Sequence, residues 1–326
     1  MNRVRTEDDL IEMRHHAQAL AVASAWSRAG YFAALADGQP RPLADLGGDA
    51  RALEITAQIL AHIGLLQGDG RRWALTSTAR TMLAAGELEL GSLGDLFDDW
   101  SRIDQMLKHG GPATSRDGAS RGTSGGVRED KPNEARGFMM MLYRRSAAAA
   151  EESARWMCER LQPGARILDL GGGHGRYARA LVERGMHATL FDRDVCVSLA
   201  RELHGDALSY RAGDFMKDDL GGPYDAVFLS NIVHGCSEQE IVALFGRLRA
   251  VVAPAGLAVI KDMFIDELGQ QPRNAVMFGL TMLMFTSGGR SYDARTMETL
   301  LATAGWQRPE MIAVDEFALM FTRPAA

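Results

Sequence analysis

Several things are scarce in this 326-residue chain, and each scarcity removes a class of protein. Only three cysteines occur, Cys158, Cys196 and Cys236, far apart and without a C-x-x-C pair. That excludes a disulfide framework or a zinc ribbon and leads us to expect reduced thiols in a cytoplasmic protein. Positive charge is not in excess: the net charge is −6 and the isoelectric point about 5.8. There is no electrostatic footprint for general binding to nucleic acid or to an anionic membrane, so neither is expected as a partner. Lysine is rare, since 32 of the 36 basic residues are arginine, a skew that reads as codon bias. No uncharged run approaches the roughly 18–20 residues of a membrane helix. The opening MNRVRTEDDLIEMRHH lacks the apolar stretch of a signal peptide. The eight histidines show no metal-ligand spacing, and no metal is expected. What remains is 46% hydrophobic and 24% charged residues, a globular mixture long enough for two domains.

The chain changes grammar twice. Apolar spacing predicts a helix over 17–36 and another in ARALEITAQILAHIGLL. The Gly-Asp-Gly turn and short strand of QGDGRRWALTSTARTML come next. Helix, turn, helix and hairpin spell a winged helix over 1–104. A DNA reader needs basic or amide side chains along its second helix. This helix offers only Arg51, Glu54 and Gln58, and the first 85 residues hold nine acids and nine bases. A packing or dimerisation module is therefore the expectation. Residues 105–135, rich in Gly, Ser and charge from 108 on, are expected as a flexible linker or as a lid over a ligand. From 136 a helix carries the FMMML cluster, including Met141, which suits either core or a pliable substrate wall. After Pro163, strands and helices alternate through ARILDL, HATLFD, ALSYRAGD, YDAVFLSNI and GLAVIKDMF, with EMIAVDEFALMFTR closing as a hairpin. The expected fold is α/β, a parallel doubly wound sheet with its ligand crevice at the carboxyl ends of the strands.

The motif ILDLGGGHGRY runs from a buried strand into Gly171, Gly172, Gly173 and Gly175. Glycines permit a tight turn whose N–H groups approach a ligand. The pattern is G-x-G-x-G, with Asp169 two residues ahead; the third Gly of the dinucleotide form would fall on Arg176. It suits a ligand without a pyrophosphate, such as S-adenosylmethionine. About twenty residues on, Asp192 ends the second strand, where a carboxylate can accept from ribose hydroxyls. Asp214 and Phe215 follow the third strand, where adenine would sit. His234 lies just past the fourth strand, and its ordinary pKa near 6.5 suits proton abstraction from a phenol or enol. Asp262 closes the fifth strand and could orient the imidazole. An Asp/Asn/Ser-Pro-Pro-aromatic turn, the mark of amino-methylating enzymes of nucleic acid, is replaced by Ser230-Asn231-Ile232. A Pro-Cys nucleophile is also missing, which points to a small-molecule acceptor.

Taken together, LDLGGGHG, LFDRD, GDFM, the histidine after strand four and TSGGRSY before a helix ending in AGW resemble the small-molecule O-methyltransferases of the hydroxyindole and caffeate type. The resemblance covers nearly the whole chain. It implies a homodimer, with a winged-helix dimerisation domain followed by a Rossmann-like class I methyltransferase domain over 136–326. The cofactor would be S-adenosylmethionine and its product S-adenosylhomocysteine. By position it implies cofactor contacts at Ser146, Asp169, Gly171, Gly173, Asp192, Arg193, Asp214, Phe215 and Ser230, and substrate contacts at Met141 and Met282. His234 matches the family's general base and Asp262 its acidic partner, usually Glu. Two departures stand out: His234-Gly235-Cys236 replaces His-Asp-Trp, and Ser291 takes the place of a second Glu. Carbon or nitrogen methylation, or a winged-helix regulator that senses the cofactor, are the alternatives.

Overall fold

In the computed structural model, residues 4–88, 90, 91, 93, 97, 100–112, 132–314 and 317–325 are described. The chain divides into two compact units, Met1–Asp104 and Gln105–Ala326. Most of the expected linker or lid, 113–131, lies outside the described residues.

In the first unit the long helix is Glu7–Arg28, which starts ten residues before the apolar pattern does. Its start is set by a capping box: the Thr6 hydroxyl accepts from Asp9 N–H while the Asp9 carboxylate accepts from Thr6 N–H. Gly30, at φ +75°, ends it and turns the chain into the short helix Tyr31–Ala34, so the expected 17–36 helix is broken near its middle. Asp49 caps helix Ala50–His62 and Thr76 caps helix Ser77–Ala84. β1 (Arg41–Pro42), ahead of the first of these helices, and β2 (Leu66–Gly68) and β3 (Arg72–Leu75), between the two, form an antiparallel sheet in the order β1-β3-β2. Trp26, Phe32, Leu60 and Trp73 are buried at its centre, and the Trp26 indole donates to the Thr56 hydroxyl at 2.9 Å.

The second unit is built on a seven-stranded sheet: β4 (Arg166–Leu170), β5 (His187–Asp192), β6 (Ser209–Ala212), β7 (Tyr224–Ser230), β8 (Val252–Asp262), β9 (Glu310–Val314) and β10 (Phe317–Thr322). Their order is β6-β5-β4-β7-β8-β10-β9. The first five run parallel, and the closing pair adds antiparallel to β8, so the sheet is mixed where a parallel one with a hairpin was expected. After β4 the chain adds strands on one side, then returns to add β7 on the other. That reversal opens a crevice at the carboxyl ends of β4 and β7. Alternate residues feed two cores. Leu168, Leu170, Val227, Leu229 and Ile260 meet helices Glu238–Arg249 and Ala294–Thr303. Ile167, Phe228, Val259 and Phe321 meet helices Ala147–Cys158 and Arg176–Val182. Among the described residues no helix is long and apolar enough to cross a membrane.

Phe245 is fully buried in the first of these cores, edge-on to Trp306 at 5.8 Å, and its carbonyl accepts from the Trp306 indole at 2.9 Å. Phe245→Ala leaves a cavity that the flanking strands cannot close. Urea denaturation should show a loss of about 3–5 kcal/mol; a loss below 1 kcal/mol would mean that this core relaxes freely.

Candidate functional site

The Gly loop leaves β4 with Gly171, Gly173 and Gly175 all at positive φ (68°, 53° and 74°). Space forbids side chains as well. A Cβ at Gly172 would lie 2.6 Å from the Asp169 carboxylate, and one at Gly173 would lie 3.1 Å from Met139 Sδ. At Gly171 it would run into Ile232, with Phe215 just beyond. The loop is tied down at two points: Gly171 N–H donates to the Phe191 carbonyl at 2.8 Å, and Gly173 N–H donates to Asp192 Oδ2 at 2.7 Å. The other Asp192 oxygen accepts from Arg193 N–H at 2.6 Å. Burial raises the Asp192 carboxyl above its ordinary value, against those two bonds.

Asp169 is fully buried beneath the loop with no side-chain partner. Burial first, then the neighbouring Asp192 carboxylate, pushes it up to about 7, against the Ala178 N–H that approaches it. Ser230 Oγ, at the end of β7, is likewise buried, and only the Tyr177 hydroxyl approaches it. Unsatisfied buried polar atoms are rare in native proteins and here face a glycine cradle. A ligand with an ammonium group and further polar atoms fits that set, as the amino-acid end of S-adenosylmethionine would.

The remaining expected contacts are unequal. Ser146 is buried at the start of helix Ala147–Cys158; its hydroxyl donates to the Tyr143 carbonyl and stands 3.5 Å from His174 Nε2. Asp214 lies two residues past β6, and its carboxylate is engaged by Met216 N–H and by Lys217, which together hold it below its ordinary value. Its side chain closes a turn, which leaves Phe215 and the backbone as the parts turned to the Gly171 side. Of the FMMML cluster, Met139 is the buried residue against the loop, whereas Met141 is half-buried.

His234 sits in a short 3₁₀ turn, Val233–Gly235, after β7. Its Nδ1 is 2.7 Å from Asp262 Oδ1, and its backbone N–H donates to Asp262 Oδ2 at 3.3 Å. The carboxylate can only accept, so Nδ1 carries the hydrogen and Nε2 keeps its lone pair. The His234 side chain is 12% exposed and that of Asp262 2%. Phe278, from helix Arg273–Phe285, meets the imidazole edge-on at 4.8 Å, and Met282 is buried one turn further on.

Several residues here escaped the sequence reading. Arg290 N–H donates to the His234 carbonyl at 2.8 Å, and the Thr286 hydroxyl accepts from Gly289 N–H. The Tyr292 hydroxyl donates to the Cys236 carbonyl at 2.7 Å. The segment 286–292, singled out in the sequence as TSGGRSY without this role, thus clamps the His234 turn, and a Cβ at Gly289 would run into the His234 carbonyl. Ser291, in the place of a second Glu, donates to the Ala275 carbonyl at 2.6 Å. Asn231 adopts φ +58°, and Lys261 is buried; neither was singled out. Among the described residues no cluster suits a metal ion.

Comparison with known proteins agrees with this geometry. A family model described as an O-methyltransferase domain matches residues 100–307. The 3-hydroxy-5-methyl-1-naphthoate 3-O-methyltransferase of Streptomyces sahachiroi is 27% identical over 301 residues, 85% of this chain and 82% of that one. Acetylserotonin O-methyltransferase of Bos taurus is 31% identical over 154 residues, 45% of this chain and 44% of its own length. Among solved structures, mitomycin 7-O-methyltransferase MmcR superposes with a TM-score of 0.82 at 19% identity, covering 98% of both chains. Human N-acetylserotonin methyltransferase in complex with SAM gives 0.74 at 18%, covering all of both. The two structures share the fold. With nearly two thirds of its length inside the family model, the chain belongs to the O-methyltransferase domain family, whose enzymes are S-adenosylmethionine-dependent methyltransferases.

Proposed function

We propose that the protein moves a methyl group from S-adenosylmethionine to a hydroxyl of a small aromatic or polyketide-like metabolite, with His234 as general base. The observation that supports this best is the His234–Asp262 pair, which leaves Nε2 free beside Phe278 at the mouth of the crevice. Asp262 keeps Nδ1 protonated and stabilises the imidazolium that forms when Nε2 takes the hydroxyl proton. Phe278 and Met282, with Met141, offer an apolar wall that holds a flat acceptor in line. Gly171, Gly173, Asp169, Ser230 and Ser146 would hold the amino-acid end of the cofactor. Asp192 and Arg193 would hold the ribose, and Asp214 and Phe215 the adenine. The bound sulfonium supplies an activated methyl group and its own leaving group. Relatives named for naphthoate and hydroxybenzoate substrates support an aromatic acceptor.

For 1–104 we infer a winged-helix dimerisation domain. Helix Ala50–His62 followed by the β2–β3 hairpin has the helix-and-wing order, and Leu10 and Leu20 on the first helix are exposed. The described ends of the expected linker or lid lie in helices Ile103–His109 and Pro132–Arg145, and we place the enzyme in the cytoplasm.

Three outcomes follow. Asp192→Ala loses charge-assisted bonds to the ribose, so calorimetry should show S-adenosylmethionine affinity falling about ten- to a hundredfold; unchanged affinity in a folded variant removes Asp192 from the site. His234→Ala should bind the cofactor like wild type and lose methyl transfer by about 10²–10⁴-fold at pH 7. Its rate should climb as pH approaches about 10, where a phenol ionises unaided. Full activity at pH 7 would instead favour carbon or nitrogen methylation. Light scattering at micromolar concentration should report a dimer, and a monomer would refute the role given to 1–104.

A further inference from the structure

Lys261 is one of four lysines in the chain and is 6% exposed. Burying an ammonium is expensive unless a counter-charge meets it. Lys261 Nζ donates to Asn231 Oδ1 at 3.0 Å and lies over the rings of Phe317 (4.8 Å) and Tyr177 (5.7 Å). Burial lowers its pKa, against the pull of the Asp262 carboxylate, which does not bond to it. A three-donor cation with a single neutral acceptor is an unfinished constellation.

Sheet register shows what would complete it. Asp169 on β4 pairs with Phe228 on β7, and Ser230, two residues later, pairs with Lys261 on β8. Residues two apart share a face, so an acid, a hydroxyl and a cation follow one another across one face at the carboxyl edge. Asp169 has only the Ala178 N–H near its carboxylate and Ser230 only the Tyr177 hydroxyl, neither in full hydrogen-bonding geometry, and Lys261 has no carboxylate bonded to it. Two strand spacings separate Asp169 from Lys261, about 10 Å between their backbones. Asn231 links the cation to the crevice: its positive φ turns an exposed carboxamide over Lys261 Nζ.

We propose that Lys261, with Ser230 and through Asn231, binds the carboxylate of the cofactor's amino-acid end while Asp169 takes its ammonium, making this edge a receptor for a zwitterion. The inference rests on the S-adenosylmethionine reading and deepens it by naming the residue that recognises one chemical group. Lys261 is a binding residue, on the opposite face of β8 from Asp262 and His234.

The test uses two thioethers that differ only in the carboxylate: S-adenosylhomocysteine and S-adenosyl-3-thiopropylamine, which keeps the amine. Isothermal titration of the full-length wild type should show the first binding about ten- to a hundredfold more tightly. In Lys261→Met that preference should collapse, with most of the loss falling on S-adenosylhomocysteine, whereas Lys261→Arg should keep most of it. Equal weakening of both ligands in Lys261→Met, with the preference intact, would make Lys261 a structural prop and overturn the proposal. Equal affinities in the wild type would overturn it too, even if no Lys261 variant folds. No binding of either thioether by wild type would defeat the cofactor reading itself, a result distinct from the others.

Discussion

The close approach of the Gly171–Gly175 backbone to the carboxyl edge of the sheet is the constraint on which the site depends. Gly172 leaves no room for a side chain above the Asp169 carboxylate, and Gly173 N–H is held by Asp192. A loop bearing side chains would stand further off, and Asp169 would then be either solvated or covered. Held tight, it leaves a buried acid with no side-chain partner at the base of a crevice. The cost of that burial appears as the raised pKa of Asp169. On the proposed reading a ligand cation would offset it, so that the packing that destabilises the free protein would favour the bound one.

Strand periodicity divides the chemistry. At the end of β8, Lys261 and Asp262 are adjacent in sequence and face opposite sides. Asp262 joins the side of Ile260 and Leu229 and meets the His234 turn; Lys261 joins the side of Val259 and Phe228 and meets Asn231. Ser230 ends β7 on the Phe228 side, and the chain then turns through Asn231 into the 3₁₀ turn that carries His234 to the Asp262 side. On the proposed roles, cofactor recognition and proton removal would be built from the same two strand ends without sharing a side chain. A substitution on one side can leave the other in place.

Much of the site was legible in the sequence because it rests on motifs with local meaning. A strand running into G-x-G-x-G, acids at the next strand ends and a histidine after the fourth strand each require a particular backbone position, and the sheet brings them to one edge. Other features depend on contacts remote in sequence. Lys261 looks like any strand-end lysine until the register sets it beside Ser230. The clamp on the His234 turn comes from 286–292, more than fifty residues away, through the Arg290 N–H and the Tyr292 hydroxyl, each bonded to a backbone carbonyl that no residue type announces. Met139 rather than Met141 meets the loop because the helix phase there is set by docking against Gly173, which three adjacent methionines do not encode. In the first unit the apolar pattern missed ten residues of helix, since Thr6 and Asp9 cap a polar, exposed turn that hydrophobicity alone does not register.

The two departures from the family pattern around His234 have a common physical consequence. Where relatives of this type carry a second acid, Ser291 here bonds to the Ala275 carbonyl and holds helix Arg273–Phe285. Asp262 is then the sole carboxylate bonded to the imidazole among the described residues, and it also accepts from the backbone N–H groups of His234 and Met263. Orientation of the ring falls to that one acid, to Phe278 across its edge, and to the backbone clamp of Arg290 on the His234 carbonyl. If His234 is the proposed base, one carboxylate and an aromatic wall stabilise less positive charge on it than two carboxylates would. Such a base would suit an acceptor whose hydroxyl is already acidic, as a phenol is, better than an aliphatic alcohol whose proton is much harder to remove.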